Sequence, residues 1–322
     1  MKLRGIDFGC VLGASGIQGF FGEGYWFHKY LKPFGLDFNG MTFVAKTTTL
    51  NRRSGNMDLK KDLTPKKYFP KCIVVKPFKG IVLNSVGLSG PGAVHLFESG
   101  LWQKRMKPFF ISFMAVGQNK HERWDELRKF TDIFLRYLPD FKAPVGLQIN
   151  FSCPNVGVQF DDLVDEVNGS LGIASSLEIP LMPKFNILVS IDAVAAISRN
   201  TYCDAICVSN TIPWGKLPDK IDWQGLFGTD ISPLEKYGFG GGGLSGKPLL
   251  PLVAEWVKEA KKIGIKKPIN AGGGILAPEE DVDVMYKAGA DSVSLGSIAI
   301  LRPWRVKETV QRIKNIFEGG GK

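Results

Sequence analysis

The sequence predicts an α/β fold, a single (β/α)8 TIM barrel with long βα loops at the C-terminal rim. Short apolar runs alternate with amphipathic stretches of helical length over most of the 322 residues. These runs are continuously apolar, which is typical of parallel strands that are covered on both faces. About eight βα units close a barrel, and no linker interrupts the pattern. We therefore predict one domain over residues 1–322, with 318–322 as a flexible tail.

Nine apolar runs compete for the eight strand positions of such a barrel. The candidate strands lie at residues 10–14, 43–47, 81–83, 109–114, 147–151, 181–184, 205–209, 268–271 and 292–295. The helical patterns lie at residues 20–31, 121–138, 191–198, 249–263, 279–288 and 305–317. No helical pattern separates 81–83 from 43–47, so we predict that 81–83 is a short strand inside a long βα loop. An open doubly wound sheet is the alternative, but residues 13–16 match its GxGxxG turn only in part.

Composition and charge narrow the class of protein. A hydrophobic content of 44% with 22% charged residues predicts a globular chain. The net charge of +10 would suit nucleic acid, an anionic membrane surface or anionic small ligands. The basic residues are dispersed and form no nucleic-acid motif, so we predict a small-molecule ligand and neither nucleic acid nor membrane as a partner. The five cysteines form no CxxC pair, and we find neither a signal peptide nor an apolar run of membrane length, which predicts a cytoplasmic protein without disulfides or a metal site.

Polar residues end strand after strand at the C-terminal rim, where TIM barrels carry their active sites. Lys46, Cys153, Lys184 and Asn210 are the main examples, and each has an ordinary structural explanation when considered alone. Together they predict a ligand, because buried charged and amide groups are costly unless something satisfies them. The turns at Gly273–Gly274 and Gly296–Ser297 predict a phosphate-binding cup, since glycine lets backbone N–H groups approach closely.

Five motifs carry a family resemblance. They are AKTTTLNRRSGN (45–56), NFSCPN (150–155), GGLSGKPL (242–249), NAGGGI (270–275) and LGS (295–297). From about residue 5 to 312 the chain resembles the dihydroorotate dehydrogenases, FMN-dependent (β/α)8 barrels of pyrimidine synthesis, in their soluble cysteine-base class. The resemblance implies oxidation of (S)-dihydroorotate to orotate on the route to UMP.

The resemblance also implies roles for individual residues. Cys153 would remove the C5 proton while C6 delivers hydride to flavin N5, and Lys46 and Lys184 would stabilise negative charge. The implied substrate contacts are Lys46, Asn84, Gly87, Leu88, Asn150, Asn155, Asn210 and Thr211. The implied FMN contacts are Ala14, Ser15, Lys46, Thr47, Asn150, Lys184, Ser209, Gly246, Gly273, Gly274, Gly296 and Ser297.

Three stretches depart from the family pattern. Phe113-Met114 replaces an asparagine near the end of the third strand, GNMDLK replaces GNPxPR with Lys60 in place of arginine, and a tryptophan-bearing loop follows Asn210. The loop after Asn210 lies close to the substrate side, so a dihydropyrimidine-type flavin oxidoreductase is one alternative. The glycine turns alone would also allow a non-redox phosphate-binding barrel, and a flavin-free regulatory barrel is the last alternative. Fumarate, NAD through an iron–sulfur flavoprotein subunit, and other soluble acceptors are all compatible with the sequence.

Aromatic residues at 20–27 and at Trp214 and Trp223 exceed what the outer layer of a barrel needs. Such residues are enriched at protein interfaces, and the cysteine-base members tend to pair, so we expect a homodimer with the loop after Asn210 near its interface. Packing within one chain is the alternative.

Overall fold

The computed structural model describes residues 1–151 and 160–319. Its strands are β1 (Lys2–Leu3), β2 (Ile6–Asp7), β3 (Val11–Gly13), β4 (Ile73–Lys76), β5 (Ile81–Asn84), β6 (Phe109–Phe113), β7 (Val145–Asn150), β8 (Leu181–Phe185), β9 (Ile206–Val208), β10 (Ile212–Pro213), β11 (Gly243–Gly246), β12 (Ile269–Gly272) and β13 (Ser292–Leu295). Its α-helices are α1 (His28–Leu31), α2 (Ala93–Glu98), α3 (Lys120–Tyr137), α4 (Phe160–Ala174), α5 (Ile191–Ser198), α6 (Trp223–Phe227), α7 (Leu249–Lys262), α8 (Glu280–Lys287), α9 (Ile298–Leu301) and α10 (Val306–Gly319).

Seven parallel strands form a curved sheet in the order β3-β13-β12-β9-β8-β7-β6. Residues 42–48 close this sheet into a barrel. Thr42 bridges to Leu12 of β3, while Val44 and Thr48 bridge to Phe110 and Phe113 of β6, all in parallel. The segment 42–48 therefore occupies the eighth strand position, and the predicted TIM barrel is confirmed.

The N-terminal end of the barrel is closed by apolar side chains. The hairpin β1–β2 packs there, and the interior cluster consists of Leu3, Phe8, Leu12, Val44, Phe110, Met182, Ala205 and Cys207. A larger apolar cluster lies mainly between the sheet and the surrounding helices. Because the floor is apolar and closed, polar ligands can reach the barrel interior only from the C-terminal rim.

A second sheet of four antiparallel strands, in the order β10-β11-β5-β4, lies in the loops after 42–48 and after β9. The prediction that 81–83 belongs to a loop rather than to the barrel is thus confirmed, since β5 pairs with β4 and β11 and with no other described strand. Asn84, at the end of β5, lies opposite Gly243 of β11. This pairing joins the loop that carries Asn84 to the loop that follows Asn210.

Most predicted helices are confirmed within a residue or two, but the helix over 20–31 is wrong. Only α1 forms there, because Gly19, Gly22 and Gly24 have φ values of 76°, 113° and 62° that interrupt a helix. The Glu23 carboxylate holds the resulting turn by accepting hydrogen bonds from Phe20 N and Phe21 N at 2.6 and 2.7 Å. Helix α4 was not predicted, although its apolar residues at 160, 163, 164, 167 and 171 have helical spacing.

The aromatic residues of the loop after Asn210 pack on one another. The Trp214 ring centre lies 4.8 Å from that of Trp223 and 4.9 Å from that of Phe227. Trp223 and Phe227 are buried. Packing within one chain therefore accounts for these tryptophans, and they lend no support to the dimer. Within the described ranges, no helix is both long and apolar enough to cross a bilayer.

Candidate functional site

The rim site is organised by the register of three neighbouring strands. Asn150 of β7 lies opposite Lys184 of β8, and Lys184 lies opposite Cys207 of β9. Register partners in parallel strands project to the same face of the sheet, so these three side chains point into the barrel. Lys184 is 8% exposed and Asn150 is 9% exposed. The sheet thus places a lysine and a carboxamide side by side just below the rim.

Asn150 and Asn210 form a direct amide pair. The Nδ2 group of Asn210 donates to Oδ1 of Asn150 at 2.6 Å, and the Asn210 backbone N–H donates to the Phe185 carbonyl oxygen at 2.9 Å. The pair keeps the Nδ2 group of Asn150 and the Oδ1 atom of Asn210 as a further donor and acceptor. Two predicted substrate residues are therefore brought together with complementary hydrogen-bonding groups.

The two rim lysines have no acidic partner within the described residues. Lys46 Nζ donates to the Ser89 carbonyl oxygen and lies 4.7 Å from the centre of the Phe20 ring. Burial lowers the pKa of Lys46 to about 8, with Glu23 acting in the opposite direction. Burial also lowers the pKa of Lys184, with Cys207 acting in the opposite direction. Cations without a counter-ion in such surroundings favour an anionic ligand.

Glycines allow three backbone segments to meet at the rim. Gly274 has φ +74°, and a Cβ atom there would lie 2.7 Å from the Gly246 carbonyl oxygen. Gly246 has φ +109°, and its Cβ would lie 2.1 Å from the Gly80 carbonyl oxygen. A Cβ on Gly296 would lie 2.9 Å from that of Ala14. The structure therefore brings Gly246 to Gly273–Gly274, and Gly296 to Ala14.

Hydroxyl groups connect the first three strand positions. Ser15 Oγ lies 3.0 Å from Thr47 Oγ1, which lies 2.9 Å from Ser112 Oγ. Ser112 is fully buried and was not predicted, although it stands one residue before the end of β6 at the same rim. On the opposite side, Ser209 N donates to the Gly272 carbonyl oxygen at 2.9 Å. Ser297 immediately precedes α9.

The loop with Asn84, Gly87 and Leu88 is held by residues that sequence reasoning did not select. Asn56 donates from its backbone N to the Val86 carbonyl oxygen at 2.9 Å and from Nδ2 to the Ser85 carbonyl oxygen at 2.7 Å. The Met57 N–H donates to Ser89 Oγ at 3.1 Å. Asn56 lies in the predicted AKTTTLNRRSGN motif, so the motif itself was the available signal.

This loop also meets the residue after Asn210. Leu88 has φ 58° and Gly87 has φ 71°, so both lie in the left-handed region. A Cβ atom on Gly243, the register partner of Asn84, would lie 2.1 Å from Thr211 Oγ1. Asn84 and Thr211 therefore share one corner of the rim.

Cys153 and Asn155 lie outside the described residues. Phe151, which precedes them, is fixed by a 2.9 Å hydrogen bond from its N–H to the Lys184 carbonyl oxygen. Its ring stacks on that of Phe185, with centres 5.9 Å apart. The strand that leads to Cys153 thus ends beside Lys184.

One large cavity formed by the described residues is not at this site. It has a volume of about 1590 Å³, and none of the predicted site residues that the structure describes lines it. Gly9, His28, Arg105 and Lys307 line it, which places it outside the barrel. No cluster of three or more metal-binding side chains occurs in the described ranges. The groups that the structure describes at the rim are lysine ammonium groups, carboxamides, hydroxyls and glycine backbone.

The sequence is similar to those of known dihydroorotate dehydrogenases. The family model described as dihydroorotate dehydrogenase matches residues 1–317. The catalytic subunit of dihydroorotate dehydrogenase B (NAD(+)) from Desulforamulus reducens is 27% identical over 315 residues, covering 94% of this chain and 89% of that protein. Dihydroorotate dehydrogenase A (fumarate) from Lactobacillus delbrueckii subsp. bulgaricus is 28% identical over 306 residues, covering 92% of this chain and 86% of that protein.

Solved structures show the same fold. Ligand-free DHODH from Eimeria tenella superposes with a TM-score of 0.68 at 19% identity, covering 100% of this chain and 88% of that one. The complex of the Eimeria tenella protein with ferulenol gives a TM-score of 0.69 at 19% identity, with 100% and 85% coverage.

Proposed function

Because the chain belongs to the dihydroorotate dehydrogenase family, and so oxidises dihydroorotate in pyrimidine biosynthesis, we propose that it uses FMN as hydride acceptor and Cys153 as base. The observation that carries this proposal is the row Asn150, Lys184 and Asn210 at the rim. It joins an amide pair to a buried cation that has no acidic partner in the described chain.

FMN fits the residues that are present. Its phosphate would be held by backbone N–H groups near Gly246, Gly273–Gly274 and Gly296–Ser297, where glycine alone permits the observed close approaches. Bound FMN would supply the acceptor for the hydride that leaves C6 of the substrate. Lys184 would stabilise the negative charge of the reduced ring, since its buried ammonium lacks a carboxylate partner in the described residues.

The amides suit a dihydropyrimidine ring. The edge of such a ring alternates N–H and C=O groups, and a carboxamide supplies a partner for either. Asn150 and Asn210 orient each other, while Asn84 and Thr211 meet at the neighbouring corner. Lys46 would bind the substrate carboxylate, for which its cationic form is required. A site built on hydrogen bonds rejects analogues with the wrong donor pattern.

Cys153 would accept the C5 proton. A free thiol has a pKa of about 8.5, so near neutral pH the proton transfer requires coupling to substrate binding or hydride loss. Lys46 and Lys184 would favour the thiolate electrostatically if their charges act at this position.

The test is anaerobic reduction of the bound flavin. Dihydroorotate should bleach the flavin absorbance band in one turnover, and dihydrouracil, which lacks the carboxylate, should not. Equal rates with both substrates would favour the dihydropyrimidine-type alternative, and a protein that binds no flavin would contradict the proposal.

The electron acceptor and the assembly are part of the proposal. The relatives named above include a fumarate enzyme and the catalytic subunit of an NAD(+) enzyme. We propose a cytoplasmic homodimer that passes electrons to fumarate, or to NAD through an iron–sulfur flavoprotein subunit. A steady-state screen of acceptors separates these routes, and sedimentation at micromolar concentration tests the dimer.

A further inference from the structure

Two segments that are distant in sequence meet on the outside of the barrel. The Trp26 ring centre lies 5.1 Å from that of Tyr68, 5.8 Å from that of Phe69 and 6.3 Å from that of Tyr30. Trp26 Nε1 donates to the Tyr68 carbonyl oxygen at 2.9 Å. We name these four rings the aromatic patch. Tyr30, Tyr68 and Phe69 are 60%, 64% and 82% exposed. Single exposed rings are ordinary, whereas a contiguous group marks an interaction surface.

Lysines are frequent in the two segments that carry the aromatic patch. Residues 26–34 and 60–71 contain seven lysines and one acidic residue, Asp62. None of the seven forms an ion pair within the described residues. Asp62 accepts hydrogen bonds from Thr64 N and Oγ1 at 3.0 and 2.6 Å. Lys29 Nζ lies 4.8 Å from the Tyr30 ring centre. The patch therefore combines exposed rings with lysines that form no ion pair in the described residues.

We propose that the aromatic patch binds the surface of an anionic lipid bilayer. Tyrosine and tryptophan favour the bilayer interface because their rings are apolar and their tips polar. Lysines beside them attract anionic headgroups while their stems cover apolar surface. This surface-bound mode needs no membrane-spanning helix. It differs from the sequence-based expectation that no membrane is a partner, because only the fold brings the two segments together.

The identity of the basic residues favours lipid over an acidic protein. All seven are lysines, and arginine is absent from both segments. Protein interfaces favour arginine, whose planar fork binds carboxylates through two hydrogen bonds. Lysine is a flexible point charge, which matches a fluid layer of headgroups without fixed partner positions.

The test is sedimentation of the purified holoenzyme with vesicles. Vesicles of phosphatidylcholine and phosphatidylglycerol should carry the protein down, those of phosphatidylcholine alone should not, and added salt should weaken the binding. The double substitution Lys66→Glu/Lys67→Glu should weaken partitioning by about 25-fold or more, since each lysine near an anionic surface contributes about fivefold. Tyr68→Ser/Phe69→Ser should also weaken it, and both variants should keep wild-type dihydroorotate oxidation.

Tyr202→Ser is the matched control. Tyr202 is 44% exposed and lies shortly before β9. Counting around the barrel, β9 is four strand positions from segment 42–48, so the two lie on opposite sides of the barrel. This variant should bind vesicles like the wild type. Absence of binding to the anionic vesicles at low salt would overturn the proposal, as would equal weakening by Tyr202→Ser. Saturable binding to polyglutamate without vesicle binding would assign the surface to an acidic protein and would also overturn it.

Discussion

Replacing Lys184 with methionine should change stability and flavin chemistry in opposite directions. Lys184 is 8% exposed, burial lowers its pKa, and no described acidic group pairs with it. Methionine has a similar length and no charge to desolvate. We expect the flavin-free Lys184→Met protein to gain about 1–3 kcal/mol in free energy of unfolding, because methionine removes the desolvation cost of a buried charge that has no carboxylate partner in the described residues. With flavin bound, we expect reduction by dihydroorotate to slow by about 10²–10³, the typical effect of losing one charge-stabilising contact.

Urea denaturation of the flavin-free protein and stopped-flow reduction of the holoenzyme measure the two effects. Lys247→Met is the control, because Lys247 pairs with the 1% exposed carboxylate of Asp281 at 2.5 Å. Its loss leaves a buried carboxylate without its cation, so this variant should be destabilised. The reasoning fails if Lys184→Met also destabilises the flavin-free protein, since Lys184 would then have a favourable partner. A wild-type reduction rate would refute its role in charge stabilisation.

Three further predictions follow from the site. The KM for dihydroorotate should rise above about pH 8, because the pKa of Lys46 is lowered to about 8 and its ammonium charge is lost above that pH. Lys46→Arg should move this rise to higher pH, and a KM that stays unchanged up to pH 10 would contradict the prediction. Cys153→Ser should retain flavin but slow its reduction by about 10²–10⁴, and Cys153→Ala should be slower still, whereas wild-type rates in the alanine variant would show a structural cysteine. Gly274→Ala should lose flavin and be less stable than Gly264→Ala. Both glycines have positive φ, but of the two only Gly274 has backbone atoms within 3 Å of the new Cβ. Equal flavin content of the two variants, measured by absorbance, would show that Gly274 does not contact the flavin.

The sequence was sufficient for elements whose signals are local. Helices α5 and α7 follow from apolar spacing and the β7 and β13 strands from apolar runs, because helical and extended chains bury side chains with fixed periods. The order of those elements predicts the barrel, and the barrel predicts that Asn150, Lys184 and Asn210 share one rim. The family motifs added the prediction that dihydroorotate is the substrate.

Other features depend on contacts between distant residues. The sequence predicts a strand at 43–47, but segment 42–48 forms isolated bridges rather than a regular strand, and it closes the barrel because β3 and β6 lie on either side of it. Residues 20–27 have a helical apolar pattern, but glycines with positive φ interrupt a helix there, and the Glu23 carboxylate holds a turn instead. The clamp of Asn56 on the Ser85–Val86 backbone cannot be inferred from either segment alone.

The sequence by itself therefore determined the fold class, the rim and the residue types that meet there. Only the tertiary structure decided that Asn210 pairs with Asn150, that Lys184 has no described carboxylate partner, and that Trp26 packs against Tyr68 at the surface. The physical reason is the separation along the chain over which each interaction acts. Periodicity and turn chemistry act over a few residues, whereas pairing, burial and surface charge depend on which distant segments the closed barrel brings within a few ångströms of one another.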